Sequence, residues 1–271
     1  MPTFVETFAD QAVGTAPTRW TVRRGSAATF QIVADSDAPY GKALRVRGGF
    51  WTTFTGGVFA SFDPAGEVTD AEILLLFKAV TGAFAESTIT YMAGAGLRKP
   101  GSSSDAYTAL LDTAYSLGGE TATPSLGITY GGLTSETVLA YQNLPSLGGP
   151  ILALRARISG STMQAKVWPY GQPEPSGWQV TANHSALSKG YVGFSVPAGV
   201  EVGGTLRSSE YDVRLLYASV GTAGDPAVMP PELVELEGTA SAILAVGGDL
   251  HRRLALAVDG SVQVDARGRV A

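Results

Sequence analysis

Ile151-Leu-Ala-Leu-Arg-Ala-Arg-Ile-Ser-Gly160-Ser-Thr-Met-Gln-Ala-Lys-Val-Trp168 is the stretch that decides the fold class. In its first half Leu152, Leu154, Ala156 and Ile158 share one parity, and Arg155 and Arg157 share the other. After Gly160-Ser161 the alternation resumes, with Met163, Ala165 and Val167 opposed by Gln164 and Lys166. A period of two is the mark of a strand, because successive side chains point to opposite faces. Two such runs joined by two residues, one of them glycine, make a hairpin. Its apolar face belongs on a core and its charged face in water, which is the pattern of an antiparallel sheet.

Working outward, the same alternation returns at Ala43–Val46, Glu72–Ala79, Ser87–Met92, Ala106–Leu111, Leu126–Tyr130 and Gly190–Val196. It returns again at Glu210–Val220, where Tyr211, Val213, Leu215 and Tyr217 alternate with Asp212, Arg214, Leu216 and Ala218. Short strands recurring between Gly, Pro, Ser and Asp clusters argue for a sandwich or barrel. The best helical candidate is Ser104–Leu117, but Tyr107, Thr108, Thr113 and Tyr115 favour strand. The reading is therefore all-β.

The run Gly-Thr-Ala-Gly-Asp-Pro-Ala-Val-Met-Pro-Pro over Gly221–Pro231 cannot hold regular structure. It divides the chain into a sandwich at 1–222, a linker at 223–231 and a tail at 232–271. In the tail, Glu232–Leu236, Ala240–Val246, Leu250–Val258 and Ser261–Val264 read as strands of a small β-meander. A lone meander of about 40 residues buries too little to be stable by itself. It is expected to oligomerise or to dock on a partner.

Composition narrows the function. Charged residues are 16% of the 271, against a usual ~25%. A chain this poor in charge suits an assembly better than a dispersed monomer, so a homo-oligomer or a place in a large particle is expected. Net charge is −5, and the densest basic spots are the pairs Arg23-Arg24 and Arg252-Arg253. Nucleic acid needs a far larger basic surface, so it is not expected as a partner. With no cysteine, thiolate chemistry and Cys-ligated zinc are excluded. The start, Met1-Pro-Thr-Phe-Val-Glu-Thr-Phe8, has neither the basic beginning nor the apolar run of a signal peptide. No apolar stretch approaches the ~20 residues of a membrane span. The expectation is a protein made in the cytoplasm and not inserted in a membrane.

Three segments resemble the concanavalin-A-like, LamG-type jelly rolls. Phe8-Ala-Asp-Gln-Ala-Val-Gly-Thr-Ala-Pro-Thr-Arg-Trp20 looks like their opening strand and loop. Leu154–Trp168, Glu174-Pro175-Ser-Gly-Trp178 and Gly190-Tyr-Val-Gly-Phe194 resemble them more specifically. Tyr211-Asp-Val-Arg-Leu-Leu-Tyr-Ala-Ser-Val-Gly221 looks like the closing strand. Such domains occur in bacteriophage tail and virion proteins and in secreted proteins that bind or cleave glycans. The resemblance implies a virion structural protein at a tail, tail tip or fibre, attached to other virion proteins through 232–271 and contacting host-surface glycan. An extracellular carbohydrate-binding module, a glycoside-active enzyme and a capsid decoration protein stay open as alternatives, because a fold does not fix a function.

The chemistry-bearing residues are few. Glycosidases on such sandwiches flank the sugar bond with paired carboxylates. The nearest pattern here is Glu67-Val-Thr-Asp70-Ala-Glu72, where Glu67 has the wrong parity and Pro64-Ala-Gly66 reads as loop. No catalytic residue is assigned. His184 reads as an exposed loop histidine, with no nucleophile elbow in the sequence to serve. Trp51, Trp168 and Trp178 are the candidate ligand-binding residues, since an aromatic face suits the apolar side of a pyranose. Core and rim packing is the competing use for all three. A structural calcium is common in jelly rolls, and Glu6, Asp10 and Asp212 are its candidate ligands.

Overall fold

The computed structural model describes residues 3–25, 29–47, 58–79, 90–101, 105–114, 124–131, 136–145, 147–196, 200–202, 205–207, 212–230, 234–235 and 263–264. Trp51 lies outside these residues, as do the strands expected over 240–258 and part of that expected at 87–92. The chain forms two compact units, Met1–Val228 and Met229–Ala271.

In chain order the strands of the first unit are β1 (Phe4–Glu6), β2 (Trp20–Arg24), β3 (Thr29–Ala34), β4 (Lys42–Arg47), β5 (Val58–Phe62), β6 (Glu67–Val68), β7 (Ala71–Ala79), β8 (Thr90–Lys99) and β9 (Ala106–Ala114). They continue with β10 (Ser125–Gly131), β11 (Glu136–Asn143), β12 (Leu152–Ser159), β13 (Thr162–Pro169), β14 (Val180–Asn183), β15 (Gly190–Val196), β16 (Val200–Val202), β17 (Thr205–Arg207) and β18 (Asp212–Thr222). One sheet runs β14-β13-β12-β7-β18-β4-β3, with β1 also on β18. The other runs β11-β10-β9-β8-β15-β5-β2, with β6 also on β15. Both are antiparallel, and together they make an all-β, concanavalin-like jelly-roll sandwich. In the second unit, β19 (Val234–Glu235) pairs antiparallel with β20 (Gln263–Val264).

The deciding hairpin folds as its alternation requires. Ser159 faces Thr162 across the two-residue turn, and Gly160 takes φ +58°, a conformation that penalises a side chain. Leu154, Ala156, Ile158, Met163, Ala165 and Val167 enter the core. There they join Ile73, Leu75 and Phe77 of β7, with Tyr107, Ala109, Leu126 and Phe194 from the other sheet. Each large apolar side chain so buried contributes about 1.5–3 kcal/mol relative to exposure.

Two expectations need correction. The charged face of the hairpin is not simply wet, because Arg155 is 9% exposed and Lys166 is 8% exposed. The crossover between β13 and β14 and the segment after β18 lie over them. Alternation says which residues leave the core; it does not say what covers them. Along β18 the pairing slips between Leu215 and Tyr217. Val213 and Leu215 face the core, and past the slip so do Ala218 and Val220. Tyr217 is thereby turned away from Val213 and Leu215, 1% exposed, with its hydroxyl donating to the Val228 carbonyl (3.0 Å). A bulge resets parity, which a strict period of two cannot represent.

Candidate functional site

On the outer face of the first sheet, three strands line up polar side chains. Arg157 faces Gln164 across β12–β13, and Gln164 faces Thr181 across β13–β14. One row on, Ser159 faces Thr162, and Thr162 faces Asn183. The alternation that sends Ala156, Ile158, Met163, Ala165 and Ala182 inward sends these residues outward. They are hydrogen-bonded to one another. Arg157 Nη2 donates to Gln164 Oε1 (2.7 Å), Gln164 Nε2 donates to Thr181 Oγ1 (3.4 Å), and the Thr162 hydroxyl donates to Asn183 Oδ1 (2.8 Å). Neighbouring strands are about 4.8 Å apart, so the three strands give a platform about 10 Å across.

Trp178 sits at the head of this platform. The residue after it fastens the crossover to the sheet edge. The Gln179 N–H donates to the Ala165 carbonyl (3.0 Å). Its side-chain amide accepts from the Val167 N–H (2.8 Å) and donates to the Val167 carbonyl (3.1 Å). Gln179 thus stands in for a strand partner, and Trp178 is held over the hairpin. Arg157 Cζ lies 4.9 Å from the indole centroid and Lys166 Nζ 5.0 Å. Both cations rise from the outer face of the hairpin, so they meet the ring from the sheet side. Cation–aromatic contact of this kind orients the ring at a modest gain, about 0.5–1 kcal/mol where exposed. The indole is half-buried.

The crossover is held by charge. Lys166 Nζ lies 2.7 Å from Glu174 Oε1 and donates to the Pro175 carbonyl (2.8 Å). Arg155 donates from Nη2 to Glu174 Oε2 (3.0 Å). Burial pushes the Glu174 carboxyl upward, but Lys166 and Arg155 outweigh it and hold the group below the usual carboxylate range. Arg155 Nη1 also contacts Glu72 and donates to the Ala227 carbonyl (2.8 Å), while the Ala227 N–H donates to Glu72 Oε1 (3.2 Å).

The other residues singled out in the sequence have different surroundings. Trp168 is 3% exposed, which leaves it packing rather than an open face. Glu6 is buried, accepting from the Phe8 N–H (2.8 Å), Gln11 Nε2 (3.1 Å) and Arg19 Nη1 (2.9 Å). Asp10 pairs with the same Arg19. Asp212 pairs instead with Arg45. Glu6 is opposite Ala218, six residues along β18 from Asp212, which is about 20 Å of strand. The three carboxylates therefore do not converge, and the Arg19 guanidinium already bridges the two that do.

The acidic run is also dispersed. Glu67 accepts from the Gly101 N–H (2.9 Å) and lies 3.3 Å from Lys189. Asp70 accepts from the Gly160 N–H (2.8 Å), and Glu72 holds Arg155 and Ala227. His184 is not a loose loop residue. Its Nδ1 is 2.9 Å from the Tyr107 hydroxyl, and its ring lies 4.6 Å from that of Tyr130. Sequence reasoning missed Thr181 and Asn183, because β14 is only Val180–Asn183, too short for a periodic signal to stand out.

No protein-family model matches the chain, and no curated protein matches its sequence. Solved structures similar to it include the carbohydrate-binding module CBM66 from Bacillus subtilis, at 14% identity over 73% of this chain and 92% of that one, with a TM-score of 0.46. Basic winged bean lectin with Tn-antigen is similar at 11% identity over 82% of this chain and 100% of that one, with a TM-score of 0.48. The CBM2 module of the evolved Dit of Lactobacillus casei BL23 phage J-1 is similar at 11% identity over 80% and 93%, with a TM-score of 0.44.

Proposed function

We propose that the sandwich is a non-catalytic glycan-binding module, and that the chain works as a virion structural protein of a tailed bacteriophage that presents this module to the host surface. The observation that carries the glycan reading is the Trp178 platform. A half-buried indole at the surface offers the apolar side of a pyranose a stacking surface. The Arg157, Gln164, Thr181 and Asn183 side chains beside it offer the donors and acceptors that sugar hydroxyls require. Rigid strands hold these groups, so little side-chain entropy is lost on binding. The virion reading is supported by the charge-poor composition and by a tail whose sequence reads as short apolar strands too few to fold alone.

Binding of the full chain to immobilised cell-envelope polysaccharides tests the first part. Retention is expected, and Trp178→Ala is expected to weaken it about tenfold or more, the loss of roughly 1.5 kcal/mol of stacking. Absence of retention on every glycan would sink it. Mass spectrometry of purified particles tests the second part; a chain missing from particles made by the phage that encodes it would remove the virion role.

A further inference from the structure

We infer that the platform selects negatively charged glycans, with Arg157 as the residue that reads the charge. This rests on the glycan reading of the same platform and goes a step further, to the chemical class of the sugar.

Among the described residues Arg157 is a cation with no carboxylate partner. In register it lies opposite Glu72 on one side and Gln164 on the other. Glu72 would be its natural partner, but that carboxylate is turned to Arg155 and to the Ala227 N–H. Arg157 is left with two neutral contacts, the Gln164 amide oxygen (2.7 Å) and the Trp178 ring (4.9 Å). Among the described residues no carboxylate is in ion-pair contact with it, whereas Arg19, Arg23, Arg45, Arg155 and Arg214 each hold one. The nearby Lys166 is neutralised by Glu174. The chain carries a net charge of −5, so an exposed, unneutralised cation is a local exception to its surface.

The geometry adds specificity to the charge. A guanidinium resting on an aromatic ring is oriented, and one of its edges is fixed by Gln164. Its remaining N–H groups form a planar fork, which matches the two oxygens of a carboxylate or phosphate. Trp178 lies against it, so a sugar bound at the indole has its substituents beside the fork. The ligand chemistry that fits is a pyranose carrying an anionic oxygen group, as in a uronate or a phosphate-substituted sugar.

The test compares matched polymers. Full-length protein is titrated with galactan and polygalacturonate, and with mannan and phosphomannan, in low salt and in 0.5 M salt. Binding to an acidic polymer is expected to exceed that to its neutral counterpart by about tenfold in low salt. The gap should shrink in high salt. Arg157→Gln should close it, lowering acidic binding far more than neutral binding, and Arg157→Lys should restore it only in part, since an ammonium lacks the fork. The carboxylate and phosphate arms identify which anion is read. If neutral and acidic polymers bind alike, or if Arg157→Gln keeps the preference, the inference fails while the glycan reading stands. If neither polymer of either pair binds, the inference fails, and the glycan reading is decided by the cell-envelope polysaccharides. Arg157 is exposed on a strand whose inward residues are untouched, so its variants are expected to fold; thermal unfolding checks this.

Discussion

At the scale of single residues, buried charges in this sandwich are committed to fixed partners, and this sets their cost of removal. Arg155 joins β7, the crossover and the segment after β18 through Glu72, Glu174 and the Ala227 carbonyl. Arg155→Ala would leave Glu72 buried and facing no cation. Urea unfolding should register a loss of about 3 kcal/mol, and Glu72→Gln, which can still accept the Ala227 N–H, should cost less. Asp35 is a second hub, bound to Lys78 (2.7 Å) and Arg214 (2.7 Å). Burial works to raise its carboxyl, but the two cations win and hold it below the ordinary value of 3.8. Burial likewise works to lower Lys78, and Asp35 and Asp37 win and raise it above its ordinary 10.5. The signs give opposite limbs. The Asp35 contribution is fully present above its unfolded value and lost as pH falls through the folded one; the Lys78 contribution is fully present below its unfolded value and lost as pH rises through the folded one. Asp35→Asn should therefore flatten the acid limb of a stability–pH curve below about pH 4 and lower the neutral plateau.

At the scale of elements, the segment after β18 is a strap laid on the sheet. Its contacts are the Ala227 peptide on Glu72 and Arg155, the Val228 N–H on Ser219 Oγ (2.9 Å), and the Val228 carbonyl on Tyr217. Gly221 permits the close approach, because a Cβ there would lie 2.0 Å from the Asp225 carbonyl oxygen. Gly221→Ala should cost about 1–3 kcal/mol or lift the strap, and faster proteolytic cleavage within 223–228 at unchanged unfolding free energy would identify lifting. The edge strand β11 illustrates another local device. A bulge between the Ile128 and Thr129 pairings leaves Val138 and Tyr141 exposed and interrupts the ladder, which blunts a free edge against unwanted pairing.

At the scale of the whole molecule, the chain divides into two compact units. The first has a single core fed by both sheets. In the second, among the described residues, β19 pairs with β20, and the meander of about 40 residues read from the sequence is too small to be stable by itself. A self-associating tail would make the full chain an oligomer. Light scattering after size exclusion should give a multiple of 28.0 kDa for the full chain and a smaller species for a 1–228 truncation. Two monomers of equal stability would remove the reason for assigning assembly to 232–271.

The sequence alone determined the class of fold and the core face of its deciding hairpin. Alternation is local, so Leu154, Ala156, Ile158, Met163, Ala165 and Val167 could be placed on one face, and Gly160-Ser161 in the turn, without any knowledge of the rest of the chain. It also put Arg157 and Gln164 on the outer face, and it offered Trp51, Trp168 and Trp178 alike as ligand candidates. The tertiary structure alone decided what each outward residue meets. Trp168 and Trp178 look equivalent in sequence, yet one is sealed and the other lies over two cations beside β14. Arg155 and Arg157 have the same parity, yet the strap and the crossover close over the first, while the second, among the described residues, meets only the neutral Gln164 and Trp178. Periodicity follows from backbone geometry within a strand, whereas burial and charge pairing depend on segments tens of residues away, and only the fold brings those together.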